Sequence, residues 1–404
     1  MRRLVLFGTV AALAATVLLL GGVAREATAP AAAGSGPSTD ELIAHAFDLQ
    51  QRWRETADPS NLTRSEAALR RALQLEPGNA QAVFGLASVA LSRHQFRNAL
   101  ELARRARALD PGWAAPLGAV GDALLELGRY EQAFDVFDRF AEREPGLAAY
   151  SRIAYGRELI GRPRAAIAAM QMASDAAPLR GEPAAWPHVE LGKLHFGLGE
   201  LRAAARQFRL ALAAEPGFPS ALDGLARVDG ALGKMRAALA LSRRAVDTVP
   251  LPQYVSTLTD LYLVAGRAAE ARRQLRLVGA IERLLAANGV RTDLETAVFD
   301  ADHGLRLADA LTRARRAYAE RPSIDAADAL AWALVRNGRC AEALTYTRRA
   351  LSLGTLDALK LFHRGMAERC AGRAAAGRPS FRRALALNPY FSLRFAPLAE
   401  RLAR

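Results

Sequence analysis

Between Ala114 and Leu127 the large apolar residues stand at Leu117, Val120, Leu124 and Leu127. Steps of three and four residues put them on one face of an α-helix. Gly128-Arg129 interrupts the run, as glycine does at a helix C-terminus. A second amphipathic stretch runs from Tyr130 to Glu142, with Ala133, Phe134, Phe137 and Phe140 along one side, and Pro145-Gly146 closes it. The pattern is helix, turn, helix.

The same punctuation returns along the chain. ALQLEP ends at Pro77, ARALDP at Pro111, ALAAEP at Pro216 and ALALNP at Pro389. Prolines fall at 77, 111, 145, 178, 216, 250, 322 and 389, with gaps of 34, 34, 33, 38, 34, 72 and 67, the last two each close to two periods. Gly199, Gly233, Gly266, Gly304, Gly338 and Gly372 mark further mid-unit turns. Ten units follow, starting near residues 46, 80, 114, 148, 185, 219, 253, 291, 325 and 358. A unit of this size cannot bury its apolar face alone. Stacked neighbours do so, and the result is a solenoid.

The residues inside the units resemble the tetratricopeptide repeat (TPR). Leu117, Val120-Gly121, Leu124, Ala133, Phe137 and Pro145 match its pattern, as do Leu191-Gly192, Ala204, Phe208, Ala211 and Pro216, and Gly365, Phe381, Ala384 and Pro389. Small residues at Gly121, Ala133, Gly192, Ala204 and Gly365 let helices pack closely, and large ones fill the holes. The resemblance implies an all-α fold, a right-handed superhelical α-solenoid of about ten TPR-like repeats over residues 39–391, with a capping helix over 392–404. Arg52-Trp53 replaces Leu-Gly in the first unit. A short insertion around Leu179 to Pro183 is expected to bend the stack, and the unit from Gln253 has a long second helix from Ala268 to Asn288.

Composition agrees with this reading. Hydrophobic residues are 51% and charged ones 24%, enough to bury a core. Aromatics are only 7%, and the apolar content is rich in Ala and Leu, which argues against an all-β fold. The net charge is +14, and only Lys193, Lys234 and Lys360 among the 55 basic residues are lysine. Such an arginine excess, with this much alanine, is what a GC-rich genome produces. Attraction to an anionic surface is the alternative.

Residues 1–24 read as a targeting segment. Arg2 and Arg3 precede an uncharged run from Leu4 to Ala24, long enough as a helix to cross a bilayer core. It is either an uncleaved anchor or a signal peptide cleaved after Ala29 or Ala33. Both place the repeats outside the cytoplasm. Residues 25–38 read as a flexible linker.

Catalytic chemistry is not visible. The chain has no nucleophile elbow, phosphate-binding loop or HExxH motif. His188 and His195 occupy large packing slots of the repeat, and Asp300, Asp302 and His303 sit at a helix end without a fourth ligand. No cofactor, resident metal or nucleic-acid partner is expected. Cys340 and Cys370 are 30 residues apart, as either a disulfide or two separate thiols.

The resemblance also implies where a partner binds, since in TPR stacks the first helix of each unit lines the concave face. Here that lining includes Arg54, Phe84, Asp122, Glu126, Arg152, Trp186, Lys193, Phe196, Arg227, Tyr254, Glu295, Phe299 and Phe362. The mixture suits an extended peptide or partner helix, with Trp186, Phe196 and Tyr254 as anchors. The expected function is a non-enzymatic protein-interaction scaffold of a bacterial cell envelope, reaching the membrane through Leu4 to Ala24 if that segment stays uncleaved. The alternative is an anionic-surface binder, because arginine pairs recur in second helices at 70–71, 104–105, 243–244, 315–316, 348–349 and 382–383.

Overall fold

The computed structural model describes residues 36–404, so the targeting segment and most of the linker lie outside the described residues. From Thr39 onward the described chain is helix joined by short loops, with no strand. The first helices of the ten units are α1 (Thr39–Thr56), α3 (Ala80–Ser92), α5 (Ala115–Glu126), α7 (Leu147–Leu159), α9 (Glu182–Gly197), α11 (Pro219–Ala231), α13 (Pro252–Val264), α15 (Asp293–His303), α17 (Ile324–Arg336) and α19 (Ala358–Cys370). Their second helices are α2 (Ser60–Leu75), α4 (Phe96–Leu109), α6 (Tyr130–Arg143), α8 (Pro163–Asp175), α10 (Leu201–Ala214), α12 (Met235–Thr248), α14 (Ala268–Ala287), α16 (Leu307–Glu320), α18 (Cys340–Ala350) and α20 (Ala374–Leu387). A short helix, α21 (Ala396–Leu402), ends the chain. No helix among the described residues is long and apolar enough to cross a membrane.

The first helix begins earlier than the repeat pattern suggests, because Ser38 and Glu41 form a reciprocal capping box there. The long second helix of the seventh unit is present as α14. The insertion around residue 179 forms the loop between α8 and α9, and leaves Leu179 94% exposed. Cys340 and Cys370 are joined as a disulfide, with Cα atoms 5.3 Å apart, and link the ninth unit to the tenth.

Packing between units follows a rule of sixteen residues. A large side chain on a second helix lies between first-helix positions sixteen before and sixteen after it. Phe208 sits between Gly192 and Gly224, Phe137 against Gly121, Phe381 against Gly365, and Leu69 against Gly85. A Cβ at Gly192 would lie 2.5 Å from the Phe208 ring, and one at Gly365 2.6 Å from the Phe381 ring. No real Cβ approaches so closely, so these glycines are spaces into which the neighbouring ring fits.

The stack also closes on itself. Mid-unit turns of units two to five dock on loops 192 to 197 residues further along the chain, nearly six units away. At the second unit, His94 Nδ1 lies 2.7 Å from the carbonyl of Arg291, and Arg291 N donates to the Arg93 carbonyl at 3.1 Å. At the third, the Tyr130 hydroxyl accepts from Ile324 N at 2.6 Å. At the fourth, the Thr355 hydroxyl donates to the Leu159 carbonyl. At the fifth, Asn388 Nδ2 donates to the Phe196 carbonyl at 2.8 Å. Gly128, at φ +71°, brings its backbone so near this seam that a Cβ would lie 2.5 Å from the Pro322 oxygen.

The expected capping helix over 392–404 is shorter than the pattern suggests. Residues 388–395 are not helical. The Ser392 hydroxyl accepts from Arg394 N at 3.3 Å and Phe395 N at 3.1 Å, and Pro397 fixes the start of α21 one turn later.

Candidate partner-binding face

The first helices carry the polar residues that the repeat places inward, and the closed seam changes their surroundings. Phe84, Trp186, Phe196, Tyr254, Phe299 and Phe362 are all buried. Phe84 packs edge-on against Trp113 with centroids 4.8 Å apart, and the Tyr254 hydroxyl meets Ser220 Oγ at 2.6 Å. Phe299 contacts the His303 ring, and Phe362 lies among Trp332, Phe381, Phe391 and Phe395. Trp186, Phe196 and Tyr254, the expected anchors, are thus covered by the units beside them: Trp186 clusters with Met170 and Leu191, Arg227 lies over Phe196, and Ser220 meets Tyr254.

The expected charged lining is paired internally. Arg152 grips Asp122 through Nη2 at 2.7 Å and Nε at 3.0 Å, both side chains nearly buried. Arg321 bridges Glu295 at 2.8 Å and Glu126 at 3.3 Å across the seam, with His94 3.8 Å from Glu295. Burial pushes the Glu126 carboxyl up to about 7 although Arg321 pulls it back. Burial pushes the His94 imidazole down to about 4, partly opposed by Glu295. Arg54 reaches Glu182 at the start of α9, 3.8 Å away. Arg227 lies over the Phe196 ring at 4.9 Å. Lys193 keeps 40% of its side chain exposed while contacting Glu190 at 2.7 Å.

Several inner residues were not singled out by the repeat pattern. Glu158, Glu190 and Asp223 stand on α7, α9 and α11. Burial raises all three, Glu158 to about 7 and Asp223 to about 6. Lys360 on α19 joins Asp325 at 2.7 Å and Asp357 at 3.0 Å, and His363 Nδ1 contacts Asp328 at 2.9 Å. The inner lining is thus rich in carboxylates although the whole chain is basic. The local signal was weak, since single acidic residues on successive helices look like ordinary solvated positions. His94 did carry one: it stands, at φ 57°, where units three to ten have glycine.

The candidate metal cluster does not assemble. Asp300 pairs with Arg306, Asp302 accepts from Trp332 Nε1 and His303 contacts Asp260. Among the described residues no group of three His, Cys, Asp or Glu is arranged to hold a metal ion. His188 and His195 contact Gln207 and Glu200 respectively.

Among known proteins, no family model and no curated protein matches the chain. Solved structures do resemble it. The Cut9-Hcn1 hetero-tetramer of the APC/C matches at 13% identity and TM-score 0.40, covering 90% of this chain and 86% of that one. YrrB, described as a TPR protein with an unusual peptide-binding site, matches at 19% and 0.31, covering 45% and 92%. MamA matches at 19% and 0.32, covering 40% and 93%. The 34-residue period, the sixteen-residue packing rule and the paired helices make the fold of this chain an all-α solenoid of tetratricopeptide-type repeats.

Proposed function

We propose that this chain is a non-enzymatic protein-interaction scaffold that takes an extended segment of a partner protein against its first helices. What carries the reading is the row of carboxylates on successive first helices: Glu158 on α7, Glu190 on α9, Asp223 on α11, Asp260 on α13, and Asp325 and Asp328 on α17. That lining favours a basic segment. The envelope setting rests on the sequence from Arg2 to Ala24, and the Cys340–Cys370 bridge supports an oxidising compartment.

Panning a random peptide library against residues 39–404 tests this. Enriched peptides should be basic, and Asp223→Asn should weaken them by about tenfold, the size of one charged hydrogen bond. Failure to enrich any peptide over an unrelated helical control would refute it.

A second reading has one observation in its favour: of the twelve paired arginines on second helices, eleven are exposed and Arg243 is half-buried. A cationic ridge of this kind would bind anionic lipid headgroups, with about 1 kcal/mol per arginine near the surface. Equal sedimentation with anionic and neutral vesicles at low salt would eliminate it.

A further inference from the structure

Residues 388–395 touch the first helix of every unit from the fifth to the tenth. Asn388 donates to the Phe196 carbonyl on α9. Leu393 lies against Gly230 of α11, where a Cβ would come within 3.2 Å of it, and packs with the cluster that holds Leu261 of α13. Arg394 pairs with Asp260 of α13 at 3.1 Å and donates to the Asp302 carbonyl on α15 at 3.2 Å. Phe395 meets Trp332 of α17 edge-on, with centroids 5.7 Å apart, and stacks on Phe362 of α19 at 5.1 Å. Phe391 packs on Phe362 from another side at 5.7 Å.

The manner of attachment matters. Within this segment the backbone N–H bonds are local: Tyr390 N to Asn388 Oδ1, Arg394 N and Phe395 N to Ser392 Oγ. The solenoid therefore holds the segment by its side chains. Residues 392–395 are each only half-buried, and Arg394 and Asp260 keep 24% and 25% of their side chains exposed. An irregular stretch held by separate side-chain contacts along a row of first helices is bound as a peptide ligand is bound.

We propose that residues 388–395 are the resident ligand of the concave face of units five to ten. The partner is then a protein segment that carries an aliphatic residue, an arginine and an aromatic in sequence, and competes with Leu393, Arg394 and Phe395 for the same subsites. Asp260 and the Asp302 carbonyl select the arginine, since a guanidinium can serve both acceptors through separate nitrogens. Trp332 and Phe362 select the aromatic. This inference rests on the reading of the concave face as a peptide site and deepens it.

The test uses a fluorescent nonapeptide with the sequence of residues 388–396 and the full chain. The triple variant Phe391→Ala/Arg394→Ala/Phe395→Ala vacates the arginine and aromatic subsites and should bind the peptide at least about tenfold more tightly than the unaltered chain does. The same peptide with alanine in place of its arginine should bind the variant about tenfold more weakly. Equal binding to both chains, or no binding to a variant whose circular dichroism matches the unaltered chain, overturns the proposal. Should the variant fail to fold, hydrogen exchange in the unaltered chain decides. The amides of residues 390–395 should exchange at least about tenfold faster than those of α17 and α19, whereas equal protection makes the segment a fixed plug. If library peptides bind without changing that exchange, only this inference fails; if no peptide binds at all, the broader reading fails with it.

Discussion

Gly192→Ala adds a single methyl group, and its effect separates backbone propensity from packing. In a helix interior alanine is better than glycine by about 1 kcal/mol, so propensity alone predicts stabilisation. The structure predicts the reverse. The new Cβ would lie 2.5 Å from Phe208 Cε1 and 2.8 Å from Cδ1 and Cζ. The ring cannot withdraw, because it is fully buried and Gly224 presses on it from the next unit. Overpacking of this kind costs about 1–3 kcal/mol, so the net change should be a loss of up to about 2 kcal/mol. Gly197, the last residue of the same helix, has nothing within 4 Å of where its Cβ would stand, and Gly197→Ala should be neutral or mildly stabilising. Phe208→Leu in the Gly192→Ala background should recover part of the loss, with a coupling energy of about 0.5–3 kcal/mol in the double-mutant cycle. Since solenoid stability is close to a sum of neighbour terms, amide exchange in α9 to α12 should be read beside the urea midpoint. Stabilisation of Gly192→Ala equal to that of Gly197→Ala, or zero coupling to Phe208, would refute the packing rule.

Two further expectations concern the seam. Gly128 and Gly233 have nearly the same backbone, φ +71° and +73°, but only Gly128 faces a carbonyl across the seam. Gly128→Ala should therefore cost more than Gly233→Ala, which bears only the left-handed strain of about 1–2 kcal/mol, and small-angle scattering should show a looser particle for Gly128→Ala alone; equal losses and equal scattering would remove the seam. Glu126 and His94 should give opposing pH dependences. Glu126 is raised to about 7 from an ordinary 4.5, so the folded chain holds the extra proton and stability falls as pH rises through that window, by about 3 kcal/mol at most. His94 is lowered to about 4 from 6.5, so the unfolded chain holds the extra proton and stability rises between those values. Glu126→Gln should remove one falling contribution, Glu158 and Asp223 keeping theirs, and so make the melting temperature climb from pH 4.5 to 6.5 more steeply than in the unaltered chain; parallel profiles would contradict the assignment.

The sequence showed what recurs within one unit and its neighbours. The period, the glycine turns, the extent of α14 and the close approach at Gly121 and Gly192 are all local consequences of helix geometry and side-chain size. What it could not show is how far the stack rotates per unit, because that angle is the sum of many small packing offsets. The seam contacts of units two to five with loops 192 to 197 residues away follow from that sum. The same applies to Arg321 and Glu126, 195 residues apart, which the sequence does not pair until the stack turns back on itself.

The chemistry of the seam has a reason of its own. Every unit presents nearly the same apolar pattern, so an apolar contact between successive turns would fit equally well after sliding by one unit. Polar contacts do not. The donors and acceptors on the other side are particular side chains: His94 for the Arg291 carbonyl, Tyr130 for Ile324 N, and Glu126 for Arg321, and none of these three side chains stands at the same place in the next unit. Removing such charges from water has a desolvation cost that their mutual attraction only partly offsets, so the network contributes little net stability. Its effect is to make every other register worse, since a slipped seam would leave Glu126 buried without Arg321.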